Sequence, residues 1–134
     1  MVLINMIDID YIMSLIDWNQ SSEKQKTGIQ MAKNIQSINV FLQPCNKTYN
    51  KNVWDNCAQI LSERTDEELS LYFEELMCWL QDMNWPGAFC IFDRLKKMLD
   101  VPGFQYSYNV CMKCAKALDD EAWINNLEML KEEN

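Results

Sequence analysis

Two cysteines three positions apart, Cys111 and Cys114, form the motif of this chain that looks most like a reactive site. A C-x-x-C pair serves disulfide exchange when it lies at a strand-to-helix junction. Here the pair lies in the middle of a predicted helix, and a zinc site would need two further ligands at fixed spacing. Because free cysteine packs as a small apolar residue, we interpret both as core residues and predict no metal site.

The sequence also offers few candidate residues for acid–base or nucleophilic catalysis. The chain has no histidine, which excludes Ser-His-Asp and Cys-His arrangements. Glu67-Glu68 and Glu74-Glu75 are adjacent carboxylates on predicted helices, where consecutive side chains point about 100° apart and do not converge on one substrate atom. No glycine-rich phosphate loop occurs. We therefore predict that the protein is not an enzyme and uses no cofactor.

The composition predicts one helical domain over residues 1–134. Apolar residues make up 49% of the chain, and only three glycines and three prolines occur. An all-β domain needs turn residues about every 8–12 positions, so the predicted fold class is all-α. Apolar spacing predicts about seven helices: residues 4–17, 22–37, 52–63, 65–81, 86–99, 104–118 and one to residue 130 capped by Asp119 or Asp120, with residues 38–42 ambiguous and 44–51 a loop.

The stretch from Thr65 to Leu99 is the clearest part of the pattern. Thr65 with Glu68 predicts a capping box, as does Ser22 with Gln25. Two helices joined by a short turn are expected to pack as an antiparallel hairpin, with Pro86 near the first position of the second helix.

The chain repeats a pattern in which a helix end is followed by an aspartate and a short polar turn, at Asp17, at Asp82 and at Asp119 or Asp120. The aspartate can cap the following helix or bind the amides of the turn. The recurrence predicts antiparallel helical hairpins stacked as a short α-solenoid.

The string E-E-L-M-C-W-L-Q-D-M-N-W-P-G-A, residues 74–88, resembles the hallmark of a bacterial domain family of unknown function built on HEAT-like helices. The resemblance covers about residues 53–99. It implies a HEAT-like fold and, because such proteins resemble those encoded near polymorphic toxins, an immunity-type role. Gly87 stands where a β-branched residue is expected, which predicts looser packing at the start of the next helix.

The net charge and the targeting signals restrict the classes of partner and the cellular compartment that we expect. The formal net charge is −8, and residues 63–93 hold eight acidic residues against Arg64 alone, a formal charge of −7. This balance argues against nucleic acid and against an anionic membrane surface. No signal-peptide pattern and no run of about 18 apolar residues occurs. Cysteines inside helices then predict reduced thiols and a cytoplasmic protein.

We predict a protein-binding module that meets a basic protein, such as a toxin domain, through an acidic surface bearing tryptophan. The predicted partner-binding residues are Asp66, Glu67, Glu74, Glu75, Asp82 and Trp85. The alternative is a structural or self-associating helical scaffold, for example a homodimer, with no toxin partner. A nucleic-acid enzyme on a HEAT-like scaffold would need a basic groove, which the sequence does not indicate.

Overall fold

The computed structural model describes residues 8–46 and 49–132, apart from the side chains of Cys45 and Asn46. This part of the chain is all-helical and contains no strand, which confirms the predicted class. The helices are α1 (Ile9–Leu15), α2 (Ser22–Ala32), α3 (Gln43–Asn46), α4 (Trp54–Ser62), α5 (Asp66–Ser70), α6 (Phe73–Cys78), α7 (Ala88–Lys96), α8 (Phe104–Ala117) and α9 (Glu121–Leu130), with 3-10 turns at Ile38–Phe41, Lys51–Val53 and Trp79–Gln81.

The described helices are shorter and more numerous than the predicted ones. The single helix predicted from Thr65 is two helices, because Tyr72 leaves the helical region with φ −130° and ψ 27°. The break keeps Leu69 and Phe73 buried and leaves Leu71 76% exposed. The helix predicted over residues 22–37 ends at Ala32.

Other predicted boundaries change as well. The ambiguous residues 38–42 contain a 3-10 turn, and the predicted loop over residues 44–51 overlaps the short helix α3. Both differences lie at or between helix ends, where hydrogen bonding within a helix is incomplete and neighbouring elements decide the conformation. Residues 4–7 of the first predicted helix lie outside the described residues.

Local capping signals are mostly confirmed. Thr65 Oγ1 accepts from the Glu68 N–H at 3.1 Å, and the Thr65 N–H donates to Glu68 Oε1 at 3.2 Å. Asp120, rather than Asp119, caps α9 by accepting from the Trp123 N–H at 3.1 Å. Ser21, and not the predicted Ser22, caps α2, because the Ser21 hydroxyl accepts from the Lys24 N–H at 3.2 Å.

The helices share one apolar core. α1 packs against α2, α6 against α8, and α8 against α9. α7 contacts α6, its expected hairpin partner, but it packs more extensively against α4. The buried side chains of all these helices form one cluster, so the turn between α6 and α7 is held between elements distant in sequence.

Two arginines join helix ends across this core. Arg64 Nη2 donates to the carbonyl oxygens of Ala32 and Ile35 at 2.8 and 2.6 Å. Arg94 donates from Nε to the Ser62 carbonyl and from Nη2 to the Arg64 carbonyl, both at 2.9 Å. The last carbonyls of a helix lack partners within the helix and favour nearby cations, so the pair stabilises the ends of α2 and α4.

Helices of the described part of the chain are too short or too polar to cross a membrane.

Candidate functional site

The turn between α6 and α7 is built around Asp82. Its carboxylate accepts from the Asn84 N–H at 2.8 Å, and its carbonyl accepts from the Trp85 N–H at 3.0 Å. Asp17 accepts from the Asn19 N–H at 2.8 Å in the same way. These bonds confirm that the aspartates of the repeated pattern bind turn amides or, at Asp120, cap a helix.

At Gly87 the structure differs from two predictions about the start of α7: the position of Pro86 and the looseness of the packing. It has φ +85° and is the residue before the helix, so Pro86 lies outside the helix instead of at its first position. A Cβ built on Gly87 would lie 2.7 Å from the Ala58 Cβ and 2.9 Å from the Trp54 carbonyl oxygen. Glycine therefore does not loosen this site: it permits both the left-handed backbone and the close approach of α4.

Three tryptophans meet beneath and beside this turn. Trp54 lies edge-to-face with Trp79 at a centroid distance of 6.1 Å and with Trp85 at 5.6 Å. Trp79 is fully buried and Trp54 is 3% exposed, whereas Trp85 is half-buried. Edge-to-face pairs are a favoured aromatic geometry, so the two buried indoles support the exposed edge of the third.

Two depressions flank Trp85. The first, called here the Trp54 groove, is lined by Tyr49, Asn50, Lys51, Trp54 and Trp85 and has a volume of about 430 Å³. The second, the Phe89 depression, has a volume of about 310 Å³ and is lined by Asp55, Met83, Asn84, Trp85, Pro86, Gly87, Phe89 and Cys90. Phe89 is 67% exposed, so an aromatic ring stands at the edge of this depression.

The Phe89 depression carries negative charge. Asp55 lines it together with Cys90, and Asp93 lies three positions after Cys90 on α7, which places the two side chains on one face of the helix. Burial raises the pKa of the Cys90 thiol, a hydrogen bond with Ser62 lowers it, and the nearby negative charges, Asp93 first, raise it further. The depression therefore combines an apolar surface with negative charge.

The six predicted partner-binding residues fall into three groups. Asp66 and Glu67 lie in the first turn of α5, Glu74 and Glu75 in the first turn of α6, and Asp82 meets Trp85 in the following turn. Asp66 is engaged by Arg94 Nη2 at 2.7 Å, with its own side chain 50% exposed. Of the six, Trp85 is the residue that lines the two depressions.

Residues that the sequence prediction missed complete the site: Tyr49, Lys51, Asp55, Phe89 and Asp93. One signal was available, because Phe89 lies off the apolar stripe formed by Ala88, Ile91 and Leu95 on α7. A large aromatic residue outside the buried stripe of a helix is expected at the surface. No comparable local signal points to Tyr49, which contacts Trp54 through its carbonyl at 3.3 Å.

The cysteine pair differs from its prediction in one respect. Cys111 and Cys114 lie inside α8 as expected, but Cys111 is buried and Cys114 is exposed, so only one of them is a core residue. Cys57, Cys90 and Cys114 are free thiols. Across residues 8–46 and 49–132, no group of three or more Cys, Asp or Glu side chains is placed to hold a metal ion.

Comparison with known proteins identifies a family for most of this region. The model of a domain of unknown function, DUF5071, matches residues 49–133. This range contains the turn, both depressions and all six predicted residues. No curated protein and no solved structure matches the chain.

Proposed function

The chain belongs to the DUF5071 family, and we propose that it is a non-catalytic protein-binding module whose contact site is the Trp85 surface, defined by Asp55, Asp82, Trp85, Phe89 and Asp93. The observation that carries the proposal is Phe89, 67% exposed beside the half-buried Trp85. Tryptophan and other aromatic residues dominate the energetics of protein interfaces when a partner excludes water from them.

The partner that fits this surface is a basic protein. Asp55, Asp82 and Asp93 place negative charge beside the aromatic side chains, and the chain as a whole carries a formal charge of −8. Complementary charge steers association and selects partners. Asp66, Glu67, Glu74 and Glu75 extend the acidic field along α5 and α6. Because Arg94 pairs with Asp66, we assign Asp66 a weaker contribution than Glu74 or Glu75.

The biological setting that we propose follows the resemblance of the hallmark turn. In that setting the protein is a bacterial immunity-type protein of the cytoplasm, a HEAT-like stack of helical hairpins that covers the basic cleft of a toxin domain. Inhibition would come from occlusion and charge complementarity. The free thiols of Cys57, Cys90 and Cys114 suit a reducing compartment.

A second candidate is self-association. Tyr106 is 71% exposed and Leu118 is 67% exposed, both at the surface of the α8 region. Tyr106 lies in the first turn of α8 and Leu118 is its C-cap, so a second copy of the chain that covered this helix would bury both apolar side chains. An obligate dimer would show a melting temperature that rises with protein concentration, whereas a monomeric binding module would not.

The experiment that tests the proposal compares two equally exposed aromatic residues. The tagged protein captures partners from its source cell at low and high salt, and binding kinetics are then measured for the basic protein recovered. We expect Phe89→Ser to weaken binding at least about tenfold, as for a hot-spot residue, while Tyr106→Ser leaves it unchanged.

Charge reversal tests the acidic part. Asp55→Lys with Asp93→Lys should slow association strongly, and Glu74→Lys with Glu75→Lys should slow it less and weaken its salt dependence. Equal affinity of the wild type and Phe89→Ser would overturn the proposed surface, and capture of the chain alone would favour the self-associating scaffold.

A further inference from the structure

The Trp54 groove already holds a positive charge on an aromatic face. Lys51 Nζ lies 5.7 Å from the centroid of the Trp54 ring. Among the residues that the structure describes, Lys51 forms no ion pair, so the indole is the contact that its ammonium group makes. A cation over an indole is attracted by the negative face of the ring. The groove therefore presents a cation-binding surface that the chain itself occupies.

The wall of the groove is linked to a carboxylate of α1. The Tyr49 hydroxyl donates a hydrogen bond to the Asp10 carboxylate. That bond first, then burial and nearby negative charge, raise the pKa of Tyr49 to about 12. The bond therefore places the negative charge of Asp10 beside a groove whose lining carries one positive charge, that of Lys51.

We infer that the Trp54 groove receives an arginine side chain of the basic protein partner, which displaces Lys51 from the face of Trp54. This inference rests on the proposed function and names the chemical group that the partner inserts. Asp10, bonded to Tyr49 of the groove wall, attracts the incoming guanidinium and would repel an anionic ligand. Guanidinium is the better match than ammonium, because it is planar, weakly hydrated and stacks on aromatic rings.

Displacement of Lys51 is physically easy. Its side chain is exposed and lies on the 3-10 turn Lys51–Val53, so it can swing into water and lose a single cation–π contact. Trp54 stays in place, because its Nε1 donates to the Tyr49 carbonyl at 3.3 Å and its ring packs against Trp79 and Trp85. The binding face is thus rigid and its internal occupant is mobile.

The test uses a small probe and the full chain. The probe Nα-acetyl-arginine N-methylamide is titrated into the 15N-labelled protein, with the neutral isostere Nα-acetyl-citrulline N-methylamide as matched control. The readout is the indole N–H resonances of Trp54 and Trp85. Trp123 serves as internal reference, since its N–H is bonded to the Met77 carbonyl in the core.

We expect the arginine probe to shift the Trp54 and Trp85 resonances and the citrulline probe to leave them in place. Lys51→Met, which removes the internal occupant at an exposed position, should tighten binding of the arginine probe at least threefold, and Asp10→Asn should weaken it. An equal response to both probes, or no response of either indole in the Lys51→Met protein, would overturn the inference.

Binding measurements with the partner recovered by capture distinguish a failure of this inference from a failure of the proposed function on which it rests. If Phe89→Ser abolishes partner binding while Lys51→Met and Asp10→Asn leave it unchanged, the binding function stands and the arginine site is wrong. If Phe89→Ser has no effect on partner binding, the proposed function is wrong, and the probe titration alone then decides whether the groove binds arginine.

Discussion

The indole N–H of Trp79 donates to the carbonyl oxygen of Pro86 at 2.9 Å. Trp79 is fully buried, so this bond ties the turn between α6 and α7 to the interior of the protein. Trp85 and Phe89 lie on either side of the bonded carbonyl along the chain. The surface that we propose for partner binding is therefore positioned by a core residue that no partner touches.

Replacing Trp79 should destabilise the fold. In Trp79→Phe the Pro86 carbonyl loses its donor and part of the indole volume becomes a cavity, which together should cost about 2–4 kcal/mol. The measurement is the free energy of unfolding in urea. Trp18, 45% exposed, provides the control, and Trp18→Phe should change stability by less than about 0.5 kcal/mol. Similar losses in the two variants would contradict the role of Trp79.

Gly87 should tolerate alanine less well than Gly103. Both have positive φ, +85° and +93°, but a Cβ at Gly103 meets only Phe73 at 4.0 Å, whereas one at Gly87 lies 2.7 Å from the Ala58 Cβ. Gly103→Ala should therefore cost only the left-handed backbone strain, about 1–2 kcal/mol. Gly87→Ala adds steric overlap and should cost at least about 1 kcal/mol more. Thermal unfolding of the two variants, measured side by side, decides whether the close approach of α4 matters.

Arg94 should stabilise the fold much more than its ionic partner Asp66. The Arg94 side chain is 16% exposed and donates to the Ser62 and Arg64 carbonyls, so Arg94→Met should cost about 2–3 kcal/mol. Asp66→Asn should cost less than about 1 kcal/mol, since exposed ion pairs contribute little. Lys97→Met, at the exposed C-cap of the same helix, is the matched control for lost charge. Equal costs for Arg94→Met and Asp66→Asn in urea unfolding would mean that the ion pair, and not the carbonyl bonds, carries the effect.

Tyr49 should make the fold sensitive to alkali. Its hydrogen bond to Asp10 is the main cause that raises its pKa from 10.0 to about 12. The folded state holds the phenol proton more tightly than the unfolded state, whose tyrosine keeps the ordinary pKa of 10.0. The resulting stabilisation is therefore complete below pH 10 and is lost as the pH rises toward about 12. The difference in unfolding free energy between wild type and Tyr49→Phe should shrink across this range. Burial also raises the pKa of Tyr108, but that residue is common to both proteins and cancels in the difference. A difference independent of pH would contradict the Tyr49–Asp10 bond.

The thiols should react in an order set by burial. Cys114 is exposed on α8, while Cys57 is buried and burial raises the pKa of its thiol. Because the thiolate is the reactive form, iodoacetamide should modify Cys114 at least about tenfold faster than Cys57 in the native protein. Peptide mass mapping reads each site, and unfolding in urea should remove the difference. Rapid modification of Cys57 in the native protein would contradict its place in the core.

Local signals in the sequence predicted local structure well. The capping box at Thr65, the turn aspartate Asp82 and the helical class of the longer elements depend on residues within a few positions of one another. The same patterns leave residues 38–42 ambiguous and predict a loop where α3 forms. The same reasoning placed Trp85 at the surface turn and missed Phe89, whose exposure follows from which face of α7 packs against α4. Gly87 shows most clearly what the local sequence does not predict. The sequence pattern predicts looser packing at this glycine, whereas in the structure α4 approaches so closely that a Cβ on Gly87 would lie 2.7 Å from the Ala58 Cβ.

The sequence by itself determined that this chain forms helices, where several of them begin and that it carries an excess of negative charge. These properties arise from hydrogen bonding and side-chain periodicity along a continuous segment. Only the tertiary structure decided that α7 packs mainly against α4, that Lys51 lies over Trp54 and that the Tyr49 hydroxyl meets Asp10. The last of these contacts joins residues 39 positions apart. Such pairings are selected by how all the helices share one core, and no local pattern encodes them.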